Sequence, residues 1–64
     1  MIYRHYKGGL YRVLFEARQA TNGQASTMTV VYVSLATGII FVRDSDEFYD
    51  AVDGIPRFTL VETT

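Results

Sequence analysis

The chain has 64 residues, no cysteine and a formal net charge of -1, with 48% hydrophobic and 20% charged residues. This composition is typical of a globular domain and excludes a disulfide scaffold or an intrinsically disordered chain. No apolar run reaches the roughly 18 residues of a membrane-spanning helix, and the N-terminus has no charged-then-apolar signal layout. We therefore expect one cytoplasmic domain over residues 1–64, without a membrane partner and with a thin core.

A glycine turn joins the first two predicted strands. Tyr3 to Tyr6 is predicted as a short strand, and Gly8 and Gly9 follow Lys7 in a tight turn. Residues 10–19 alternate with the period of two that a half-buried strand requires. We expect one alternating set to face the core: Tyr11, Val13, Phe15 and Ala17.

The third and fourth predicted strands carry more apolar surface than one sheet face needs. The Asn22-Gly23 pair predicts a hairpin, from which a strand over residues 26–35 returns antiparallel. A turn at residues 36–38 leads into a fourth strand, Ile39 to Arg43. Both alternating faces are apolar here, whereas a solvated antiparallel sheet has a polar outer face. Either the following helix covers the second face, or the protein forms a symmetric homo-oligomer.

A short helix is predicted to begin after Asp44. Asp44 and Glu47 have the spacing of an N-cap with a reciprocating glutamate. Phe48 and Val52 would share its apolar face, and Gly54 is the expected C-cap. A last strand over residues 57–62 completes a mainly β fold, a small SH3-like barrel of four or five antiparallel strands with one short helix before the last strand. The alternative is an open antiparallel sheet with one helix on its face.

Charged residues are divided unevenly along the chain, and none of them forms a catalytic or metal motif. Residues 1–43 hold five basic residues and one acidic residue, whereas residues 44–64 hold one basic and six acidic residues. This balance lacks the basic excess of proteins that bind duplex nucleic acid, so we do not expect that partner, but it allows a local anion site. His5 is the only histidine, the acids after Asp44 lack the pattern of a calcium loop, and no serine sits in a nucleophile elbow. We predict no enzyme, no metal and no cofactor.

The stretch YRHYKGGLYRVL, residues 3–14, interleaves cations with tyrosines. Arginine binds phosphate through a planar fork, and tyrosine offers a flat face and a hydroxyl, so the combination suits an anionic ligand with a ring, such as a nucleotide. Alternatively, the tyrosines are core residues (Tyr3, Tyr11 and Tyr32). Arg4 and Arg12 would then belong to a solvated face that pairs with the acids of the helix. We expect six residues to form a ligand site: Arg4, His5, Lys7, Tyr32, Arg43 and Arg57.

The sequence resembles an uncharacterised family of short bacterial and phage proteins known only as a domain of unknown function. The resemblance rests on residues along nearly the whole chain: the opening Tyr3-Arg4-His5-Tyr6-Lys7-Gly8, Tyr11, Val13, Val31-Tyr32, Phe41-Val42-Arg43, Phe48 and the closing Pro56-Arg57-Phe58. It implies an SH3-like barrel and no activity. A phage-encoded member would work in the cytoplasm of its bacterial host.

Three functions agree with these patterns. We expect first a non-enzymatic homo-oligomer that binds a phosphate-bearing small molecule such as a nucleotide signal. By analogy with phage members of the family, it would sequester that signal as a counter-defence protein. The alternatives are an SH3-like protein-interaction adaptor, whose tyrosines line a groove for an extended peptide, and single-stranded nucleic-acid binding, which the acidic second half disfavours.

Overall fold

The computed structural model describes residues 1–20 and 27–63. In chain order its elements are β1 (Ile2–His5), β2 (Leu10–Arg18), β3 (Met28–Ser34), β4 (Ile40–Asp44), α1 (Ser45–Phe48), β5 (Ala51–Val52), β6 (Ile55–Pro56) and β7 (Phe58–Glu62). The predicted mainly β class, with a short helix before the last strand, is confirmed. No helix in the described ranges is long and apolar enough to span a membrane. The predicted Asn22-Gly23 turn lies outside the described residues.

Five strands form one antiparallel sheet in the order β4-β3-β2-β1-β7, while β5 and β6 pair as a separate hairpin. β1 pairs with β7, so the first and last strands lie side by side, with His5 opposite Phe58 and Arg4 opposite Thr59. Within the described sheet, β4 and β7 are edges, and they do not pair to close a barrel. The sheet therefore has the open arrangement that the sequence left as the alternative.

Aromatic rings build most of the core on one face of this sheet, which we call the inner face. Its buried hydrophobic side chains among the described residues are Tyr3, Val30, Tyr32, Phe48 and Phe58. Tyr11 and Val13 pack against them, as the alternation in β2 predicted. Helix α1 contributes Phe48 and so packs on the inner face. The core is as thin as the chain length implied.

A β-bulge in β2 reverses the predicted direction of Phe15. The register between β2 and β3 shifts between Val13 and Phe15, which places Phe15 opposite Val31 on the outer face. Its side chain is 57% exposed. One extra residue moves the following side chains to the other face of a sheet, because the side-chain period is two. Ala17, opposite Thr29, lies on the same face as Phe15, so the prediction that these two residues face the core is wrong.

The outer face of the sheet stays apolar near β4. Ile40 pairs with Val33 and Val42 pairs with Val31, and the two β4 side chains are 62% and 64% exposed. With Phe15 they form what we call the outer patch (Phe15, Val31, Val33, Ile40 and Val42). Because α1 packs on the inner face, the helix does not cover this patch.

The helix is shorter than the sequence predicted. Asp44 is the N-cap residue, but its side chain makes no capping hydrogen bond. Asp53 and Gly54 have φ angles of 52° and 80° and connect β5 to β6. Asp-Gly is a favoured pair for two-residue hairpin turns that need positive φ at both positions. The predicted helical face containing Val52 and the C-cap at Gly54 are therefore wrong, because these residues form a hairpin.

Candidate functional site

A pocket of about 120 Å³ opens on the inner face, beside the aromatic core. It is lined by residues from all five strands of the sheet: His5, Tyr11, Tyr32, Phe41, Arg43 and Phe58. Strand register brings them together, since His5 lies opposite Phe58 and Tyr32 lies opposite Phe41. We call this site the aromatic pocket.

The floor of the aromatic pocket consists of core side chains. Tyr32 and Phe58 are buried, and the Phe58 ring stacks on Phe48 with 4.1 Å between centroids. The Tyr11 ring meets both edge to face, with centroid distances of 5.5 Å to Tyr32 and 5.7 Å to Phe58. Because these rings contact one another, the floor of the pocket is already formed and would need little further ordering to hold a ligand.

Arg43 lies at the rim and is held loosely. Its Nε donates to the Tyr32 hydroxyl at 3.4 Å, and its Nη1 donates to Glu47 Oε1 at 3.4 Å. Both distances exceed the roughly 2.7–3.2 Å of good N–H···O bonds, so both interactions are weak. The hydrogen bond to Tyr32 is the main reason that the pKa of Arg43 is raised. Arg43 is thus a permanently charged donor that can turn toward a ligand at small cost.

His5 presents a neutral imidazole to the aromatic pocket. Burial lowers its pKa below the usual 6.5, and the positive charges of Arg43, Lys7 and Arg57 lower it further. Its Nδ1 accepts a hydrogen bond of 3.1 Å from the backbone N–H of Lys7. The proton of the neutral ring is therefore on Nε2, which leaves a donor as the free polar group of the side chain.

Lys7 lies close to the aromatic pocket without lining it. It occupies the turn between β1 and β2, with its Nζ 5.8 Å from the centroid of the Tyr6 ring. Its charge acts on the pKa of His5. An exposed lysine at this position can meet a charged group that projects from the pocket, as a point charge on a flexible stem.

Arg57 makes its hydrogen bonds to groups of the protein itself. Its Nε donates to the backbone carbonyl of Glu47 at 3.0 Å and to Asp50 Oδ1 at 2.9 Å. These are short, well-formed bonds, unlike the two of Arg43. They tie the segment around α1 to the start of β7. Arg57 contributes positive potential to the site, but its hydrogen-bonding capacity is partly used.

The structure does not bring Arg4 to the aromatic pocket. Side chains in β1 alternate between faces, with Tyr3 buried on the inner face and His5 partly buried there. Arg4 is exposed on the opposite face, across from Leu10 and Thr59. Of the six predicted site residues, three line the pocket, and these are His5, Tyr32 and Arg43.

Sequence reasoning missed three lining residues, Tyr11, Phe41 and Phe58. A signal for one of them was available, because antiparallel pairing across the turn at residues 36–38 places Phe41 directly opposite Tyr32. Phe58 required knowing that β7 pairs with β1, which depends on long-range contacts. Tyr11 had been assigned to the core, and it does pack there while lining the pocket as well.

The charges at the site decide which ligand an aromatic pocket of this kind accepts. Rings arranged around a cavity can bind an organic cation through their π faces. Here the guanidinium of Arg43 lines the pocket, and the positive charges of Lys7 and Arg57 also act on His5. Two of these cations are paired with carboxylates, Arg43 with Glu47 and Arg57 with Asp50, so the remaining positive charge at the site is small. The described residues contain no cluster of three or more His, Cys, Asp or Glu side chains that could hold a metal ion.

The chain belongs to the family described as "Protein of unknown function (DUF1653)", which it matches over residues 1–60. The predicted membership of an uncharacterised domain family is confirmed at this level. No curated protein and no solved structure matches the chain.

Proposed function

We propose that this DUF1653 protein is a non-enzymatic binding module for a phosphate-bearing small molecule of the nucleotide type. The ring of the ligand enters the aromatic pocket, and its anionic group meets Arg43. The observation that carries the proposal is the position of a loosely bonded arginine at the rim of a pocket walled by aromatic rings. Both halves of a nucleotide find a matching partner there.

The strength of such a site can be bounded. Stacking of one base on aromatic side chains contributes about 1–3 kcal/mol. A hydrogen bond to a charged group adds about 1.5–3 kcal/mol. Together these correspond to a dissociation constant no better than tens of micromolar, on the order of 6 kcal/mol at most. Tight capture of a signal therefore needs further contacts, and a second copy of the chain is a source of them.

Self-association is the second part of the proposal, with a second copy covering the outer patch. A stable interface buries about 800 Å² on each partner, roughly one-sixth of the 4463 Å² surface of this chain. An interface of that size needs most of one face, and the outer patch offers apolar side chains across β2, β3 and β4. Because Phe41 and Arg43 lie on the edge strand β4, a copy that covers this edge would also border the aromatic pocket.

A binding role without turnover agrees with the lining of the pocket. His5 is the one imidazole in the lining, and the other lining residues are aromatic rings and an arginine. Hydrolysis of a phosphate ester needs a positioned nucleophile together with an acid or base. A phage-encoded copy could remove a host signal by binding it and holding it unchanged.

The test is a thermal melt of the protein with AMP, UMP, ADP-ribose, cyclic dinucleotides and inorganic phosphate. A ligand that binds only the folded state raises Tm by mass action. We expect at least one nucleotide to raise Tm more than inorganic phosphate does, and Arg43→Gln to reduce that rise. A flat response to every nucleotide would contradict the proposal.

A protein-interaction adaptor is the second candidate, favoured by the free edge of β4. Among the described strands β4 pairs with β3 alone, and its Ile40 and Val42 are exposed. An extended peptide could add to such an edge through main-chain hydrogen bonds. Backbone amide shifts confined to β4 on adding a peptide, with no change in the aromatic pocket, would support this candidate.

A further inference from the structure

We infer that two copies of the chain pair through the edge strand β4, antiparallel to each other and centred on Phe41, so that their sheets join into one continuous sheet. This inference rests on the self-association in the proposed function and names how the copies meet. It follows from three features of β4: its regular edge, the direction of its main-chain groups and the order of its side chains.

β4 lacks the features that normally keep an edge strand from pairing. Natural edge strands are often blocked by a lysine, a proline or a β-bulge. β4 contains no lysine or proline, and its register with β3 is regular from the Thr29–Asp44 pair to the Val33–Ile40 pair. The other edge strand, β7, differs, because its pairing with β1 contains a register shift and Pro56 lies shortly before it. β4 is therefore the more open of the two edges in the described sheet.

Ile40 and Val42 direct their main-chain groups to the free side of β4. The Ser34 N–H donates to the Ile39 carbonyl at 2.9 Å, so Ile39 bonds with β3. Residues along an antiparallel pair alternate between hydrogen-bonded and non-hydrogen-bonded positions. Phe41 therefore also bonds with β3, whereas the N–H and C=O groups of Ile40 and Val42 point away from it. A register centred on Phe41 places Ile40 of each copy opposite Val42 of the other, where the two residues can exchange hydrogen bonds.

The side chains of β4 select the same register. It sets Ile40 against Val42 on the outer face and the two Phe41 rings side by side on the inner face, and apolar and aromatic cross-strand pairs stabilise a sheet. Centring on Arg43 would place two guanidinium groups opposite each other. Centring on Val42 would make them diagonal neighbours, about 7–8 Å apart, and would place Asp44 opposite Ile40. The register centred on Phe41 thus pairs apolar side chains and separates like charges.

The paired copies share a two-fold axis, and the contact closes with two chains. A few paired residues bury less than the roughly 800 Å² per chain of a standard interface, so this contact acts together with coverage of the outer patch. Because Phe41 lines the aromatic pocket, Phe41 of the second copy lies at the border of that pocket.

Amide hydrogen exchange of the full chain, followed by NMR, tests this inference. The reference is Leu60 in the edge strand β7, because the hydrogen bond from the Tyr6 N–H to the Arg57 carbonyl sets the alternation that directs the Leu60 N–H away from β1. We expect the amides of Ile40 and Val42 to exchange at least about tenfold more slowly than that of Leu60. This difference should increase with protein concentration, because it depends on association.

Val42→Pro tests the same contact by mutation. It removes the outward N–H without breaking a hydrogen bond to β3, as proline is tolerated on an edge strand. We expect it to lower the mass that light scattering measures. Val42→Ala is the matched control, because it shortens the side chain but keeps the N–H, and it should lower the mass less. Equal masses for the two variants would contradict the edge pairing.

Contrary results are distinguishable. If the chain associates while Ile40 and Val42 exchange as fast as Leu60, the edge pairing is wrong and coverage of the outer patch stands. A wild-type mass of one chain would overturn both contacts. Nucleotide binding is measured separately, as a rise in Tm. Slow exchange of both amides without any such rise would support the edge pairing and contradict the proposed binding of a nucleotide.

Discussion

Arg57 Nε and Asp50 Oδ1 lie 2.9 Å apart, and this ion pair fastens the acidic segment after β4 to the start of β7. The same nitrogen also donates a hydrogen bond of 3.0 Å to the backbone carbonyl of Glu47. Residues 44–64 carry most of the acidic side chains. Two groups of this segment, the Asp50 carboxylate and the Glu47 carbonyl, bind Arg57, which the sequence had predicted to bind a ligand. Arg57 is a structural residue in this arrangement.

Arg57→Ala should therefore lower stability. Its two hydrogen bonds have good geometry, but the pair is partly exposed, so we expect a loss of about 1 kcal/mol in the free energy of unfolding. Urea melts would measure it. Arg4→Ala, which removes an exposed arginine from the other face, is the control and should cost less. Equal melts for both variants would show that the Arg57 contacts do not stabilise the fold.

Asp44→Ala should change the free energy of unfolding by less than about 0.5 kcal/mol, as at an ordinary surface position. The N-cap pattern alone predicted a cost of about 0.5–2 kcal/mol. The smaller value follows because the Asp44 side chain makes no capping hydrogen bond. Gly54→Ala is the informative comparison, since φ at Gly54 is 80° and a side chain there should cost about 1–2 kcal/mol. The reverse order in urea melts would mean that the Asp44 side chain caps the helix and that the turn at Gly54 is unstrained.

The outer patch should hold copies of the chain together. We expect light scattering of the wild type to give a mass above the 7.3 kDa of one chain. Ile40→Lys should shift the mass toward the monomer without unfolding it, because Ile40 is 62% exposed in a single chain and a lysine there is buried only in the oligomer. Val61→Lys places the same charge on β7, away from the patch, and should leave the mass unchanged. A wild-type mass of one chain would end the oligomer proposal.

His5 gives the stability of the protein a definite pH dependence. Its pKa in the folded state is lowered from 6.5 by burial, with further effects of Arg43, Lys7 and Arg57, so the unfolded chain binds the proton more readily. The contribution of neutral His5 to the free energy of unfolding is therefore fully present above about pH 6.5, and it is lost as the pH falls below that value. Denaturant midpoints should decrease below this pH, and His5→Gln should flatten that decrease.

Binding of an anion should have the opposite dependence. A bound negative charge raises the pKa of His5, so binding takes up a proton and affinity increases as pH falls through the same region. Titration with a phosphodiester, whose own charge does not change between pH 8 and pH 6, would measure this effect. An affinity that decreases toward acid while the protein stays folded would show that the anion does not reach His5.

Local patterns predicted the strands well, and long-range or irregular features account for the misses. The alternation in β2 correctly placed Tyr11 and Val13 on the inner face, but a bulge is one extra residue with no sequence signature here, and it turned Phe15 outward. The Asp53-Gly54 pair was a hairpin signal that competed with an apparent C-cap, and the hairpin formed.

The candidate site was predicted in part for the same reason. His5, Tyr32 and Arg43 were identified by residue type, and the structure gathers them in one pocket. Arg4 was predicted to be in the site by its residue type. In a strand of four residues the sequence alone does not show which face of the sheet a side chain lies on. The β1–β7 pairing that brings Phe58 beside His5 joins residues far apart in the chain, and no local pattern fixes its register.

The most direct test of the central claim uses two ligands that share one ring and differ in charge. Phenyl phosphate and phenyltrimethylammonium both present a single ring to the aromatic pocket, so their difference in affinity isolates the effect of charge. We expect phenyl phosphate to bind, with ring resonances of Tyr11 and Phe41 shifting in NMR titrations, and Arg43→Gln to weaken it by about tenfold or more while Arg4→Gln does not. Tighter binding of phenyltrimethylammonium, or equal losses in the two arginine variants, would contradict the account of an anion site at Arg43.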